Sequence, residues 1–255
     1  MNKKLLSESD ICAKYITPYL ISAGWDEVAQ IRREVSFTKG RIIVRGKLVA
    51  RGQAKRADYI LYYRPNLPIA LIEAKDNQHS LGDGMQQALD YAVTLDIPFV
   101  FASNGDGFVF HDRTGMSSAM ETTLPLDAFP SPAELWTRYC AWKALTPDVE
   151  RIVLQDYYDE GSGKAPRYYQ CSAINAALEA MAKGQNRLLL VMATGTGKTR
   201  TATALMDVLM RGRWAKRVLF LVDRIALGEQ ALGAFRDFLP SEPRWPQEGE
   251  KLFSR

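Results

Sequence analysis

Ahead of a run of apolar residues spaced for a helix, Ser7 to Asp10 ("SESD") has the spacing of a capping box. An amphipathic helix is therefore expected to run to about Ala23. "RIIVRGKLV", "ADYILYY" and "IALIEAK" follow as three strands, the last two joined by the turn "RPNLP". A helix from about Ser80 to Leu95 comes next. The strands "PFVFAS" and "GFVFHD" then flank the turn "NGDG". The order α-β-β-β-α-β-β predicts a mixed α/β domain rather than a strict alternation.

Beyond it, "AELWTRYCAWKAL" reads as a helix and the turn-rich "DYYDEGSGKAP" as a linker. From Tyr168 the pattern changes. "SAINAALEAMAKG", "RLLLVMA", "TRTATALMDVLMRG" and "RVLFLVD" alternate helix and strand, and a further helix follows. That alternation predicts a parallel, doubly wound sheet. The expected division is residues 1–145, a linker at 146–167, and a second domain at 168–255. The closing "PSEPRWPQEGEKLFSR" does not read as a domain end, so a truncated chain is expected.

Composition narrows the class. In 255 residues, 47% are hydrophobic and 24% charged, the balance of a globular protein. Cys12, Cys140 and Cys171 lie far apart, and with only two histidines, His79 and His111, a zinc site is disfavoured. Free thiols fit a reducing, cytoplasmic setting. The N-terminus lacks a signal-peptide core, and "LLLVMA" is far too short to cross a bilayer, so no membrane is expected. Net charge is only +4, yet nine Lys or Arg against the single Glu34 fall between Ile31 and Arg56. Two readings stand there: a solvated hairpin, or a surface for an anionic partner, nucleic acid first.

"LPIALIEAKDNQ" ends an apolar strand on Glu73 and Lys75, which share one face of a pleated strand. Asp58 lies on the preceding strand, where a hairpin brings its carboxylate towards Glu73. Two converging carboxylates repel unless a divalent cation sits between them. Asp58, Glu73 and the Ala74 carbonyl are oxygen donors that suit Mg²⁺. Lys75 would then orient, and help deprotonate, water for in-line attack on a phosphodiester. The plainer reading is an ion-pair cluster at a sheet edge. The set resembles the PD-(D/E)xK nucleases, with Ala57 in place of the proline. Gln87 and Tyr91, four apart on one helix face, resemble the QxxxY extension of some members, against a plain reading as surface Gln and half-buried Tyr. Glu8 matches an acidic position that assists the metal in parts of that superfamily; otherwise it is a capping acid.

In "LLLVMATGTGKTRTATAL" a strand runs into a loop of small residues and a helix starts at its end. Backbone N–H groups of Thr194, Gly195, Thr196 and Gly197 would close around phosphate oxygens. Lys198 would reach the β- and γ-phosphates of ATP and Thr199 would hold Mg²⁺. The loop resembles that of superfamily 2 helicases and translocases, although Met192 stands where the general pattern has Gly. Gln170 lies where those proteins read the adenine edge, using an amide that both donates and accepts. Asp223 and Arg224 resemble a later helicase motif, or form a salt-bridged turn. "GSGKA" at 161–165 mimics a phosphate loop but has no preceding strand and no hydroxyl after Lys164. No Walker B acids, second RecA-like domain or arginine finger follow, so weak nucleotide binding and poor hydrolysis are expected of this chain alone.

In this order, "RADYILYY", "IALIEAKDN", "QQALDYA", "FVFASNGDGFVFHD" and "LLLVMATGTGKT" are similar to the motor (R) subunit of type I restriction-modification enzymes. The resemblance covers nearly the whole chain and the N-terminal part of that family's usual length. It implies a PD-(D/E)xK endonuclease domain followed by the start of a RecA-like, ATP-driven translocase of double-stranded DNA. It also implies Mg²⁺ and ATP as cofactors, and methyltransferase and specificity subunits as partners. The basic block then becomes a surface for DNA backbone, which carries no sequence information. The competing readings are an inert DNA-tethering module, and a repair helicase with an accessory domain.

Overall fold

The structure, a computed structural model, describes residues 3–38, 42–45, 48–51, 54–155 and 166–239. The first helix forms with its capping box intact: Asp10 N–H donates to Ser7 Oγ at 3.2 Å, and Ser7 N–H donates to the Asp10 carboxylate at 3.4 Å. It runs as α1 (Glu8–Ile11), a π turn (Cys12–Ile16) and α2 (Thr17–Ser22). The widened turn closes where Thr17 N–H reaches back to Cys12 O. Pro18 follows at once, and its missing N–H accounts for the break in the regular ladder.

Six strands make one sheet, in the order β1 (Ile31–Thr38), β4 (Ala54–Arg64), β5 (Leu67–Ala74), β6 (Phe99–Ser103), β7 (Phe108–Asp112), β8 (Glu121–Leu124). All neighbours are antiparallel except β5 and β6. A parallel step needs a crossover, and α3 (Met85–Leu95) supplies it. β2 (Ile42–Arg45) and β3 (Leu48–Arg51) pair as a separate two-stranded ribbon. The architecture is mixed α/β, as expected, with three differences in its elements. β1 falls inside the basic block and has too few apolar residues to show itself. "RIIVRGKLV" is two strands rather than one, divided at Gly46-Lys47 in the sequence. β8 is four exposed or half-exposed residues, so it has no buried face to give it a period.

The sheet is covered on both faces. On one, Ile69, Ile72, Phe101 and Phe108 pack with Ile11, Ile16 and Leu20 of the first helix and with Leu135 and Trp136 of α4 (Pro132–Lys143). Phe101 stacks on Phe110 at 4.7 Å and meets Phe129 at 4.6 Å. Such pairs add about 0.5–1.5 kcal/mol each beyond burial. A buried hydrogen bond of 2.8 Å between Thr17 Oγ1 and Tyr59 OH fastens the helix to β4. On the other face, Ile60, Leu71, Val100 and Ala102 meet Met85, Ala88, Tyr91 and Ala92 of α3.

The chain divides into two compact units, residues 1–156 with 167–185, and residues 157–166 with 186–255. α5 (Pro147–Val153) and α6 (Tyr168–Ala182) both belong to the first. The reading from sequence places the second of these helices at the head of the other domain. Its contacts explain the difference. Tyr139 OH donates to the buried Glu179 carboxylate at 2.6 Å and Lys143 Nζ lies 3.1 Å from it. Asn175 Nδ2 donates to Asn66 O at 3.1 Å, and Tyr168 OH to Thr38 O at 2.7 Å.

In the second unit, α7 (Lys198–Arg211) packs with α8 (Ile225–Phe238), and Phe220 meets Phe235 edge-on at 5.1 Å. The runs around Leu188–Ala193 and Arg217–Asp223, expected as strands of a parallel sheet, carry no ladder among the described residues. Leu189 (85% exposed), Val191 (87%), Leu219 (82%) and Leu221 (79%) all face outward. Inner strands of a parallel sheet are held by neighbours and covered on both faces, and neither is present in these residues. Of the linker expected at 146–167, residues 147–153 form α5 within the first unit, and residues 156–165, including "GSGKA", lie outside the described residues.

Glu179→Ala would strand Tyr139 OH and Lys143 in a dry contact between α4 and α6. It is expected to cost about 1–3 kcal/mol in urea unfolding of the first unit. Glu179→Gln, which still accepts from Tyr139, is expected to cost less.

Candidate active site

On β4 and β5 the residues alternate so that Asp58 shares a face with Ile60, and Glu73 with Leu71. That is the face covered by α3. The antiparallel register setting Tyr59 opposite Ile72 carries Asp58 towards Glu73 at the next step. Asp58 Oδ2 accepts from Ala74 N–H at 2.8 Å, which fastens the first carboxylate to the end of β5. Glu73 is only 2% exposed. Its Oε1 accepts from Lys75 Nζ at 3.2 Å and from Gln87 Nε2 of α3, and Gln87 Nε2 also lies 3.0 Å from Tyr91 OH. Its Oε2 is buried and has no hydrogen-bond partner among the described residues. Glu8 closes the set, with Oε2 3.9 Å from Lys75 Nζ.

Three carboxylates thus surround one ammonium. Burial first, and the Asp58 charge second, push the Glu73 carboxyl up to about 8, against partial relief from Lys75. Asp58 is raised by burial despite the Ala74 N–H, and Glu8 by burial and by Asp58. Burial works against the charge on Lys75, yet Glu73, Glu8 and Asp58 together raise it above its ordinary value.

Whether these residues suit a divalent cation is answered by the orphan oxygen. A carboxylate oxygen left buried and unpaired costs free energy unless it is protonated or ligates a cation. Among the described residues no group of three or more His, Cys, Asp or Glu side chains is arranged to hold a metal. A cation here would take Asp58, Glu73 Oε2, the Ala74 carbonyl and waters. That is the hard, partly hydrated set Mg²⁺ accepts.

Residues 43–118 match the family model for the type I restriction enzyme R protein N terminus, and residues 163–253 that for the type III restriction enzyme res subunit. The chain is 52% identical, across 94% of its length, to a type I restriction enzyme EcoAI endonuclease subunit from Escherichia coli, of which it covers 30%. It is 62% identical, across 92% of its length, to the EcoKI endonuclease subunit from E. coli strain K12, of which it covers 24%. These matches support placing the chain with the N-terminal part of type I restriction enzyme R proteins. A solved fragment assigned as an HsdR subunit of a type I restriction enzyme from Vibrio vulnificus YJ016 superposes with a TM-score of 0.71. That fragment is 39% identical, over 83% of this chain and 39% of its own. The chain therefore spans about 30% or less of the length of its curated relatives.

The R-protein match contains Asp58, Glu73, Lys75, Gln87 and Tyr91, and the structure brings all of these together, with Glu8 beside them. The loop expected to bind phosphate lies in the second match and second unit. Gly195 (φ 79°) and Gly197 (φ 85°) adopt the left-handed conformation that side chains resist, and α7 starts at Lys198. Thr196 Oγ1 donates to Ala193 O at 2.6 Å, and Lys198 Nζ to the carbonyls of Met192 and Ala193 at 3.3 and 3.2 Å. Thr194 is exposed, and Thr199 half-buried at the second position of α7. Gln170 is in the first unit, where its Oε1 accepts from Arg167 N–H at 2.9 Å as a cap of α6. Asp223 and Arg224 form an exposed ion pair of 3.8 Å.

Two residues at the site escape sequence reasoning. A Cβ on Gly84 would stand 3.0 Å from Glu73 Cγ, so a side chain there would press the Glu73 stem out of its place by a few tenths of an ångström. Glu34, next to the Arg33–Tyr59 pair on β1, has φ of 53°, a strained value for a non-glycine residue. Gly82 and Gly84 fall inside the helix expected from about Ser80, which in fact begins at Met85, and that pair of glycines was the only signal for the first. Nothing in the sequence marks the second.

Two outcomes follow. Folding raises the Glu73 carboxyl from its ordinary 4.5 to about 8, so between those values the folded state binds more protons than the unfolded. Stability of the metal-free chain should fall as pH rises through that window. Glu73→Gln should flatten the profile in denaturation series at stepped pH. Gly84→Ala should displace Glu73 and weaken Mn²⁺ binding, measured by calorimetry, while changing the melting temperature little.

Proposed function

We propose that this chain carries the nuclease site and the start of the motor of a type I restriction subunit. In this reading the full protein is a Mg²⁺-dependent DNA endonuclease coupled to ATP-driven translocation on double-stranded DNA. It works in the cytoplasm with methyltransferase and specificity subunits. A PD-(D/E)xK domain is assigned to the first compact unit, residues 1–156 with 167–185, and the beginning of a RecA-like domain to the second. The observation that carries the reading is the buried, unpartnered Glu73 Oε2 beside Asp58 at the end of a strand.

The chain's own residues divide the work. Lys75 and Gln87 hold Glu73 by Oε1 alone, so Oε2 is the oxygen presented to a cation. Asp58, held by Ala74 N–H, presents the second carboxylate. A bound Mg²⁺ would polarise the scissile phosphate and acidify an attacking water. Lys75 has its pKa raised, so near neutral pH it enters as an ammonium. It is suited to stabilise charge developing on the phosphate, and a role as base would need the cation to draw the carboxylates away from it first. Glu8, with Oε2 3.9 Å from Lys75 Nζ, would add a further acidic group beside the carboxylates that would hold the cation.

At the loop, Thr194 to Gly197 and the start of α7 would receive ATP phosphates, with Lys198 exchanging two backbone carbonyls for phosphate oxygens. Thr199 would hold the nucleotide's Mg²⁺. The match of residues 163–253 to a restriction-enzyme res subunit supports this half.

The test uses the full-length subunit assembled with its partners. Glu73→Ala should lower DNA cleavage on the order of 10²-fold or more while ATP hydrolysis persists. Lys198→Ala should remove both. Cleavage at the wild-type rate by Glu73→Ala would defeat the nuclease assignment and leave the tethering reading in its place.

A further inference from the structure

The carboxylate site is held by a row of aromatic side chains that the reaction itself does not use. Gln87 spends its amide nitrogen on both Glu73 Oε1 and Tyr91 OH. Where Tyr91 stands therefore decides where Gln87 stands, and so which Glu73 oxygen remains open. Tyr91 has only one turn of helix between it and Gln87, and its ring is buttressed from outside α3. Phe37, at the end of β1, meets it edge-on, with ring centroids 5.2 Å apart and planes at 85°. Lys55 Nζ lies over the same ring, 4.8 Å from its centroid. Behind Phe37, Tyr168 at the first position of α6 makes a second edge-on contact of 6.4 Å at 74°. Tyr168 OH also donates to Thr38 O at 2.7 Å, which clamps the strand end that carries Phe37.

We propose that Phe37 and Tyr168 are positioning residues of the carboxylate site. They act through Tyr91 and Gln87 to keep Glu73 Oε1 engaged and Oε2 turned to the cation. The proposal rests on the nuclease reading above and deepens it. Edge-to-face pairs at these separations are directional, because the positive ring edge seeks the negative face of its neighbour. Each ring in the row thus fixes the angle of the next as well as filling space. Tyr168 stands two residues before Gln170, whose amide caps the same turn of α6. The first turn of that helix is thereby part of the site's frame, and all of these contacts lie within the first compact unit.

Two readouts test it. Mn²⁺ binding to the chain by calorimetry at pH 8 reports the site without catalysis, and DNA cleavage by the full-length assembled enzyme reports the outcome. Phe37→Leu and Tyr168→Leu should each weaken Mn²⁺ binding and slow cleavage about tenfold or more, the scale seen when partners of a metal ligand are lost. Tyr168→Phe keeps the ring and should stay within about threefold of wild type on both. Val153→Ala, in the core on the opposite face of the sheet, serves as the control for lost stability alone. Phe37→Leu and Tyr168→Leu binding Mn²⁺ like wild type, or losing no more than Val153→Ala at equal unfolding, would overturn the proposal. Glu73→Gln separates the two levels. If it too binds Mn²⁺ and supports cleavage like wild type, the nuclease reading fails. If it alone is defective, only the positioning role fails.

Discussion

One carboxylate governs the first unit. Glu73 is carried into the interior by a strand whose other residues are apolar, and only one of its oxygens finds donors. An ionised carboxylate in that setting costs several kcal/mol, and the nearby Asp58 adds repulsion rather than relief. Folding tolerates this by keeping the proton on until the pH nears 8. The alternatives open to such a group are few: a proton, or a cation that takes its place. The surrounding donors engage Oε1 and leave Oε2 open to either. Lys75 and Gln87 saturate Oε1 and leave Oε2 alone, so the frame is selective at the level of a single atom.

That frame depends on the one parallel step in an otherwise antiparallel sheet. β5 has β4 antiparallel on one side, which delivers Asp58 by a short turn, and β6 parallel on the other. A parallel neighbour obliges the chain to cross over, and the crossover is α3. α3 therefore begins just beyond the end of β5, with Gly84 against the Glu73 side chain and Gln87 one turn further on. A hairpin in place of that crossover would have supplied the acid pair but no helix to choose between the Glu73 oxygens.

Much of this was legible because the relevant signals are local. The strand periods of "ADYILYY" and "IALIEAK" set the faces of Asp58, Glu73 and Lys75, and helical spacing paired Gln87 with Tyr91. The capping box at Ser7 and the phosphate-loop helix were read the same way. What escaped is what only tertiary contact creates. β1 shows three of its eight residues charged at its start, with no alternation to betray that Phe37 is buried. α6 has the composition of a helix belonging anywhere, and only Glu179, Asn175 and Tyr168 tie it to the first unit. The unpaired state of Glu73 Oε2 is likewise invisible in a string of letters, since it depends on which donors arrive.

The second unit marks the other side of that boundary. The left-handed glycines, the short Thr196 bond to Ala193 and the helix start at Lys198 are made within about one turn of chain, and they form although the flanking apolar runs carry no ladder among the described residues. Strands are different, because each backbone N–H and C=O on them must find a neighbour supplied from elsewhere. Leu189, Val191, Leu219 and Leu221 have the period of strand residues and lack, among the described residues, the neighbours that would bury them. Motif and fold thus separate physically. The loop needs only its own glycines and the helix behind it, whereas the sheet needs length. It follows that the loop's donors can be set for phosphate by local sequence alone. How tightly they hold depends on whether the strand leading into them is itself held, and that is a property of more chain than the motif contains.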